Sequence, residues 1–222
     1  MKRFPLVLGL VALVGTASLW YAARGAGGAS GTSVPANTAA LPSAGDAFRG
    51  FALGSDTAPV EIVEYSDFEC PYCAQFAAVQ MPTIRRQLIE TGKVRWRFRD
   101  YPLPSHRFAR YASHAAHCAA EQGRFWEMHD QLFFNHSWAQ TGRDPSRQFR
   151  DFARAAGLDV RAYDACMDSG RHAGRIEASR QEGERLGVTG TPTFQVAGRL
   201  YGGGQGSDHF QRLADSLIAA RR

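Results

Sequence analysis

No block of lysines or arginines occurs in this 222-residue chain. Its 26 basic and 21 acidic residues leave a net charge of +5, and in the second half the two signs are interleaved (Arg175, Glu177, Arg180, Glu182, Glu184, Arg185). That pattern reads as a solvated helix face rather than a strip that neutralises phosphates, so nucleic acid is not an expected partner. Cysteine is scarce: there are four, and none precedes Cys70, which excludes a lipidated N-terminal cysteine. A second C-x-x-C that would complete a zinc set is missing. Ala74 stands where a c-type haem attachment needs histidine. No internal repeat is visible, and only one long uncharged run exists, which excludes a polytopic membrane protein. With 44% hydrophobic and 21% charged residues, composition is ordinary for a globular chain. At about 100 to 200 residues per domain, the length allows one domain with an insertion or two small ones.

The uncharged run is Phe4 to Ala23, twenty residues after Met1-Lys2-Arg3. At ~1.5 Å per helical residue it is long enough for a ~30 Å hydrocarbon core. Residues 1–24 therefore read as a signal peptide or a retained N-terminal membrane anchor. The weak cleavage candidate Thr16-Ala17-Ser18 and the interfacial Trp20 and Tyr21 tilt the reading toward an anchor. Residues 25–45, rich in Gly, Ala, Ser and Thr, read as a flexible linker. Either reading places the body of the chain in the periplasm or another extracytoplasmic compartment, which is oxidising.

Within that body, Val60 to Tyr65 mixes β-branched and aromatic residues and is expected to be a buried strand. Pro71 to about Glu90 carries Phe76, Val79, Ile84 and Leu88 at helical spacing, with a kink predicted at Pro82. Val94 to Arg99 alternates with period two, which predicts a strand covered on one face. From about Ser105 to Leu186 the pattern is helical, broken at Gly123, at Asn135 to Pro145 and at Gly157. A short strand at Thr193 to Val196, an Ala197-Gly198 turn, Leu200-Tyr201 and an amphipathic helix from Ser207 to Ala220 follow. The order predicts one α/β domain split by an all-helical insertion.

Cys70-Pro71-Tyr72-Cys73 falls where the first strand hands over to a helix. A sulfur there meets unsatisfied N–H groups and the positive end of the helix dipole, so its thiolate is favoured. Pro71 suits the first helical position. Cys70 is expected to be the exposed nucleophile and Cys73, one turn further in, the covered resolving thiol. Two alternatives are a structural short-loop disulfide and a metal site drawing on His114, His117 and Cys118. The remaining pair, Cys118 and Cys166, is even in number in an exported chain and is expected to form a structural disulfide, two buried free thiols being the alternative.

Glu64-Tyr-Ser-Asp-Phe-Glu-Cys-Pro-Tyr-Cys73, Cys118 to Phe134 and Gly190-Thr-Pro-Thr-Phe194 together resemble the DsbA-like thioredoxin superfamily over about residues 46–220. The resemblance implies a thioredoxin fold with its first half at 46–104, a helical insertion at 105–185 and its second half at 186–222. It implies a cis-proline at Pro192, a Thr191 that touches the active sulfur, and a buried acid, Glu64, that serves the inner thiol, with Asp67 and Glu69 as nearby alternatives. The implied activity is thiol:disulfide exchange through Cys70 and Cys73 without a cofactor or metal. Its expected direction is oxidation of reduced or unfolded exported proteins, with reoxidation by a DsbB-like or VKOR-like membrane partner. A DsbC- or DsbG-like isomerase or reductase, served by a membrane reductase, is the alternative. The short linker leaves no room for a dimerisation domain, so a monomer is expected. From another class come a non-catalytic chaperone and a metallochaperone on the same fold.

Overall fold

The computed structural model describes residues 48–221; the expected signal or anchor segment and the linker lie outside them. Among the described residues no helix is long and apolar enough to cross a membrane. The elements are β1 (Phe51–Leu53), β2 (Val60–Ser66), α1 (Pro71–Val79), α2 (Met81–Ile84), a π-turn (Arg85–Ile89) and β3 (Val94–Asp100). Six helices follow: α3 (Ala109–Ala120), α4 (Phe125–Phe134), α5 (Ser137–Gln140), α6 (Ser146–Ala155), α7 (Val160–Ser169) and α8 (Ala173–Leu186). The hairpin β4 (Thr193–Val196) and β5 (Arg199–Gly202) and the helix α9 (Ser207–Ala219) complete the chain. This is the expected α/β class, a thioredoxin fold interrupted by helices.

The sheet order is β1-β3-β2-β4-β5, with β2 and β3 parallel and the other pairs antiparallel. Val60 and Ile62 of β2, Val94 and Trp96 of β3, and Phe194 of β4 form one core with Phe76 and Ile84 below and Phe210 of α9. A second core joins the start of α1 to the insertion through Phe68, Cys73, Ala77, Met128 and Leu132. The C-x-x-C thus sits where the sheet half and the helical block meet.

Three local expectations need correction. Val79 is exposed and not part of the buried stripe. Pro82 has no N–H for the preceding turn, so the amides of Thr83 and Ile84 both bond Gln80 O, and Glu90 N bonds Arg85 O across the π-turn. That shift of phase re-aims the second half, burying Leu88 and Ile89. β3, read as half-covered, is covered on both faces. Arg97 and Arg99 on its second face are buried, paired with Glu61 and Glu182, and Arg99 donates to Phe48 O. The segment before β1 lies tight on this face: at Gly50 (φ 96°) a Cβ would stand 2.3 Å from Phe98 O. Finally, the stretch read as a break at Asn135 to Pro145 contains α5, fixed by buried Trp138, whose indole N–H donates to Leu132 O at 2.9 Å. The strand β1, only three residues long, has no signal of its own in the sequence.

Candidate active site

Cys70 is the N-cap of α1, with extended backbone (φ −74°, ψ 122°), and Pro71 occupies the first turn. The proline needs no N–H there, and the helix begins with its free amides beside the Cys70 sulfur. The exposure expected of Cys70 is not observed: the residue is 3% exposed, while the neighbouring Tyr72 is 69% exposed. The cover comes from the loop before β4. Its Thr191–Pro192 bond is cis, and the Cys70 thiol donates to Thr191 O at 3.5 Å. Cys73, one turn on, has no exposed surface, and both thiols are free.

The two sulfurs are driven apart electrostatically. The Cys70 pKa is lowered to about 6, first by a hydrogen bond from the Cys73 thiol, then by Thr191 and the amides of Cys73 and Tyr72, against the opposing effect of burial. The helix start contributes as expected but ranks behind the neighbouring thiol. Burial pushes the Cys73 thiol well up, and the adjacent Cys70 sulfur pushes it further. One sulfur is poised as a nucleophile and the other as a protonated donor.

Of the three acids near the motif, two are structurally occupied. The buried Asp67 carboxylate accepts from Glu69 N at 2.7 Å, Leu103 N at 2.8 Å and pairs with His106 Nδ1 at 2.8 Å. Glu69 Oε2 accepts from Phe108 N at 2.5 Å. Both tie the turn before Cys70 to the loop that leads into α3. Glu64 differs: it is 2% exposed on β2, accepts from Trp96 Nε1 at 3.0 Å, and burial raises its pKa. Sequence reasoning missed His106, whose pKa is raised first by its Asp67 partner and also by the charge of Cys70, and His136, whose ring N–H donates to Phe68 O at 3.0 Å. Neither lies in a periodic pattern; they reach the site only because loops fold over it.

Cys118 on α3 and Cys166 on α7 are joined by a disulfide, with Cα atoms 5.7 Å apart and no exposed surface. The alternative ligand set His114, His117 and Cys118 is otherwise engaged. Cys118 spends its sulfur on Cys166, His117 Nε2 meets Asp100 Oδ2 at 2.7 Å, and His114 Nε2 donates to Cys166 O at 3.0 Å.

A family model described as thioredoxin matches residues 47–216. The chain belongs to the thioredoxin family. Solved structures with the same fold include Bacillus subtilis BdbD in its oxidised form (23% identical, TM-score 0.67, covering 76% of this chain and 92% of that one). Wolbachia pipientis α-DsbA1 matches similarly (22% identical, TM-score 0.67, covering 76% and 90%). A thioredoxin-like oxidoreductase from Silicibacter pomeroyi is 25% identical (TM-score 0.63, covering 77% and 93%). Among curated sequences, a Na(+)/H(+) antiporter NhaA 3 of Salinispora tropica is 37% identical over 178 residues, 80% of this chain and 26% of the relative. The chain therefore spans about a quarter of the length of the curated relatives it matches. The chain therefore shares the thioredoxin family and the fold of these structures, with its C-x-x-C pair at the start of α1.

Proposed function

We propose that the protein is an exported oxidase that introduces disulfides into reduced or unfolded proteins. The observation that carries this reading is the lowered pKa of Cys70 beside a raised Cys73. A thiolate that is stable at neutral pH favours the reduced form of the pair, which makes the disulfide form an oxidant. A substrate thiolate attacks Cys70 Sγ, the Cys70–Cys73 bond breaks, and its electron pair goes to Cys73. A second substrate thiolate then attacks the mixed disulfide and releases Cys70 as thiolate. The exposed Tyr72 beside the covered sulfur gives an extended client chain an apolar contact next to the cis-proline loop. A membrane reoxidase, DsbB-like or VKOR-like, would restore the disulfide, and the periplasm or an equivalent compartment would supply the clients.

Sodium–proton antiport, the named activity of the curated relatives, is not the reading we take. A match of 178 residues in a chain of 222 must overlap most of the segment 47–216, and those residues carry thiol chemistry. The test is oxidation of a reduced, unfolded protein by the disulfide form of the full chain. Cys70→Ser is expected to abolish it and Cys73→Ser to trap a mixed disulfide; undiminished oxidation by the first variant would overturn the assignment.

A further inference from the structure

We propose that the Ser66 hydroxyl bridges Cys73 and Glu64 and carries the proton between the inner sulfur and the buried carboxyl. The proposal rests on the redox reading of Cys70 and Cys73 and adds a residue to it. Glu64 and Ser66 are two apart on β2, so their side chains leave the same face of the strand. That face is the one on which Val60 and Ile62 enter the core with Phe76 of α1. Cys73, on the first turn of α1, and Ser66 have no exposed surface.

The Ser66 oxygen has no hydrogen-bond partner at ordinary geometry while both cysteines are thiols. A buried hydroxyl without a partner is costly and calls for an explanation. The neighbourhood supplies one: the hydroxyl favours the charged forms of both Glu64 and Cys73, as a donor within reach of each does. It is unpaired in the resting dithiol and gains its partner when charge appears on Cys73. The same pattern recurs at the outer sulfur, where the Thr191 hydroxyl is also buried and unpaired and favours the Cys70 thiolate. The other two acids cannot serve in this way, because the Asp67 and Glu69 carboxylates hold backbone amides in place.

In the oxidising direction, cleavage of the Cys70–Cys73 bond leaves the electron pair on Cys73 Sγ. That thiolate takes the Ser66 hydroxyl proton while Ser66 takes the Glu64 carboxyl proton, leaving a carboxylate that solvent reprotonates. In reverse, Cys73 gives its proton to Ser66 and Ser66 gives its own to Glu64. Cys73 then attacks Cys70 Sγ in a mixed disulfide, the Cys70–Cys73 bond forms, and the partner leaves as a thiolate.

The experiment uses the full chain and glutathione. The rate at which Cys73 resolves the Cys70–glutathione mixed disulfide is measured against pH for the wild type, Ser66→Ala and Ser66→Thr, alongside the rate of the first attack at Cys70. Ser66→Ala should slow resolution about tenfold at neutral pH, the scale of one lost hydrogen bond to a charged group, and move the pH-rate midpoint upward. Ser66→Thr should restore most of both. Wild-type rate and midpoint in Ser66→Ala, equal slowing of the two steps, or a Ser66→Thr as slow as the alanine variant would overturn the bridge. In the wild type itself, rates in mixtures of light and heavy water should curve as they do for two protons in flight, and a linear single-proton dependence would also overturn it. Glutathione exchange does not depend on physiological direction, so a wild type that exchanges yet fails to oxidise a client sinks the oxidase reading alone.

Discussion

Two cysteine pairs lie in the same continuous core, and their surroundings assign them opposite work. Cys70 and Cys73 are free thiols at the mouth of α1, one turned toward the cis-proline loop and one toward β2. Cys118 and Cys166 are bonded to each other between α3 and α7, roofed by His114 and His172 and by the Glu121–Arg171 ion pair. Reactivity follows from access to a helix start and to polar donors that stabilise charge, not from burial, because all four residues are nearly or wholly inaccessible. The sharpest way to break this division is to remove the second pair. Cys118 and Cys166 are 48 residues apart in the sequence, and closing a loop of that length contributes up to ~4 kcal/mol by restricting the unfolded chain. Cys118→Ala/Cys166→Ala should lose a large part of it in denaturant unfolding and keep the alkylation profile of Cys70. A displaced profile would show that the two pairs are coupled.

That profile is itself the second test. In the dithiol form, alkylation of Cys70 should rise with a midpoint near pH 6, while Cys73 stays silent at neutral pH. Because the folded pKa of Cys70 lies below its unfolded value, the stability it lends the reduced fold is complete above the unfolded value and is lost as pH falls through about 6. A Cys70 midpoint near that of an ordinary free thiol would erase the distinction between the two pairs.

Glu64 sharpens the comparison from the other side of α1. Its carboxyl has a raised pKa, so it stabilises the fold below the unfolded value and ceases to as pH rises through the folded one. Glu64→Gln should therefore be more stable than the wild type at alkaline pH, by about 1 to 3 kcal/mol as for a buried polar group relieved of charge. The difference should shrink toward zero below about pH 4, where both forms are neutral. A variant that is equally destabilised at every pH would make Glu64 a packing residue alone.

The sequence makes the first pair far more legible than the second. Cys70-Pro71-Tyr72-Cys73 announces its helix start locally, and the β-branched and aromatic run of β2 and the alternation of β3 announce the sheet. What escaped was set by tertiary contact. Covering of the Cys70 sulfur comes from Thr191, 121 residues away, and the second cover on β3 from Glu182, 83 residues beyond Arg99. Val79 and the π-turn show the same limit, since a periodic stripe carries no information about a phase shift at Pro82. His106 and His136 have no pattern at all; loop closure alone brings them to the turn before Cys70. Ser66 was one step from visible, because the resemblance singles out Glu64 as buried and the residue two further on the same strand leaves the same face.

The mildest test concerns the roof over the second pair. Burial first, then the neighbouring imidazoles of His117 and His114, lower the pKa of His172 to about 4, and burial also lowers that of His114. Both rings are neutral in the fold at neutral pH, whereas in the unfolded chain they take up protons below the ordinary histidine value. The stability they permit is complete above that value and is lost as pH falls toward 4. Unfolding free energy should thus decline between about pH 6.5 and 4. His172→Gln, which keeps a donor for Glu121 but cannot titrate, should flatten part of the slope at a cost of about 1 kcal/mol at neutral pH. An unchanged slope would place the acid sensitivity elsewhere, and a slope that moved together with the Cys70 profile would mean that the roof of one pair also sets the charge of the other.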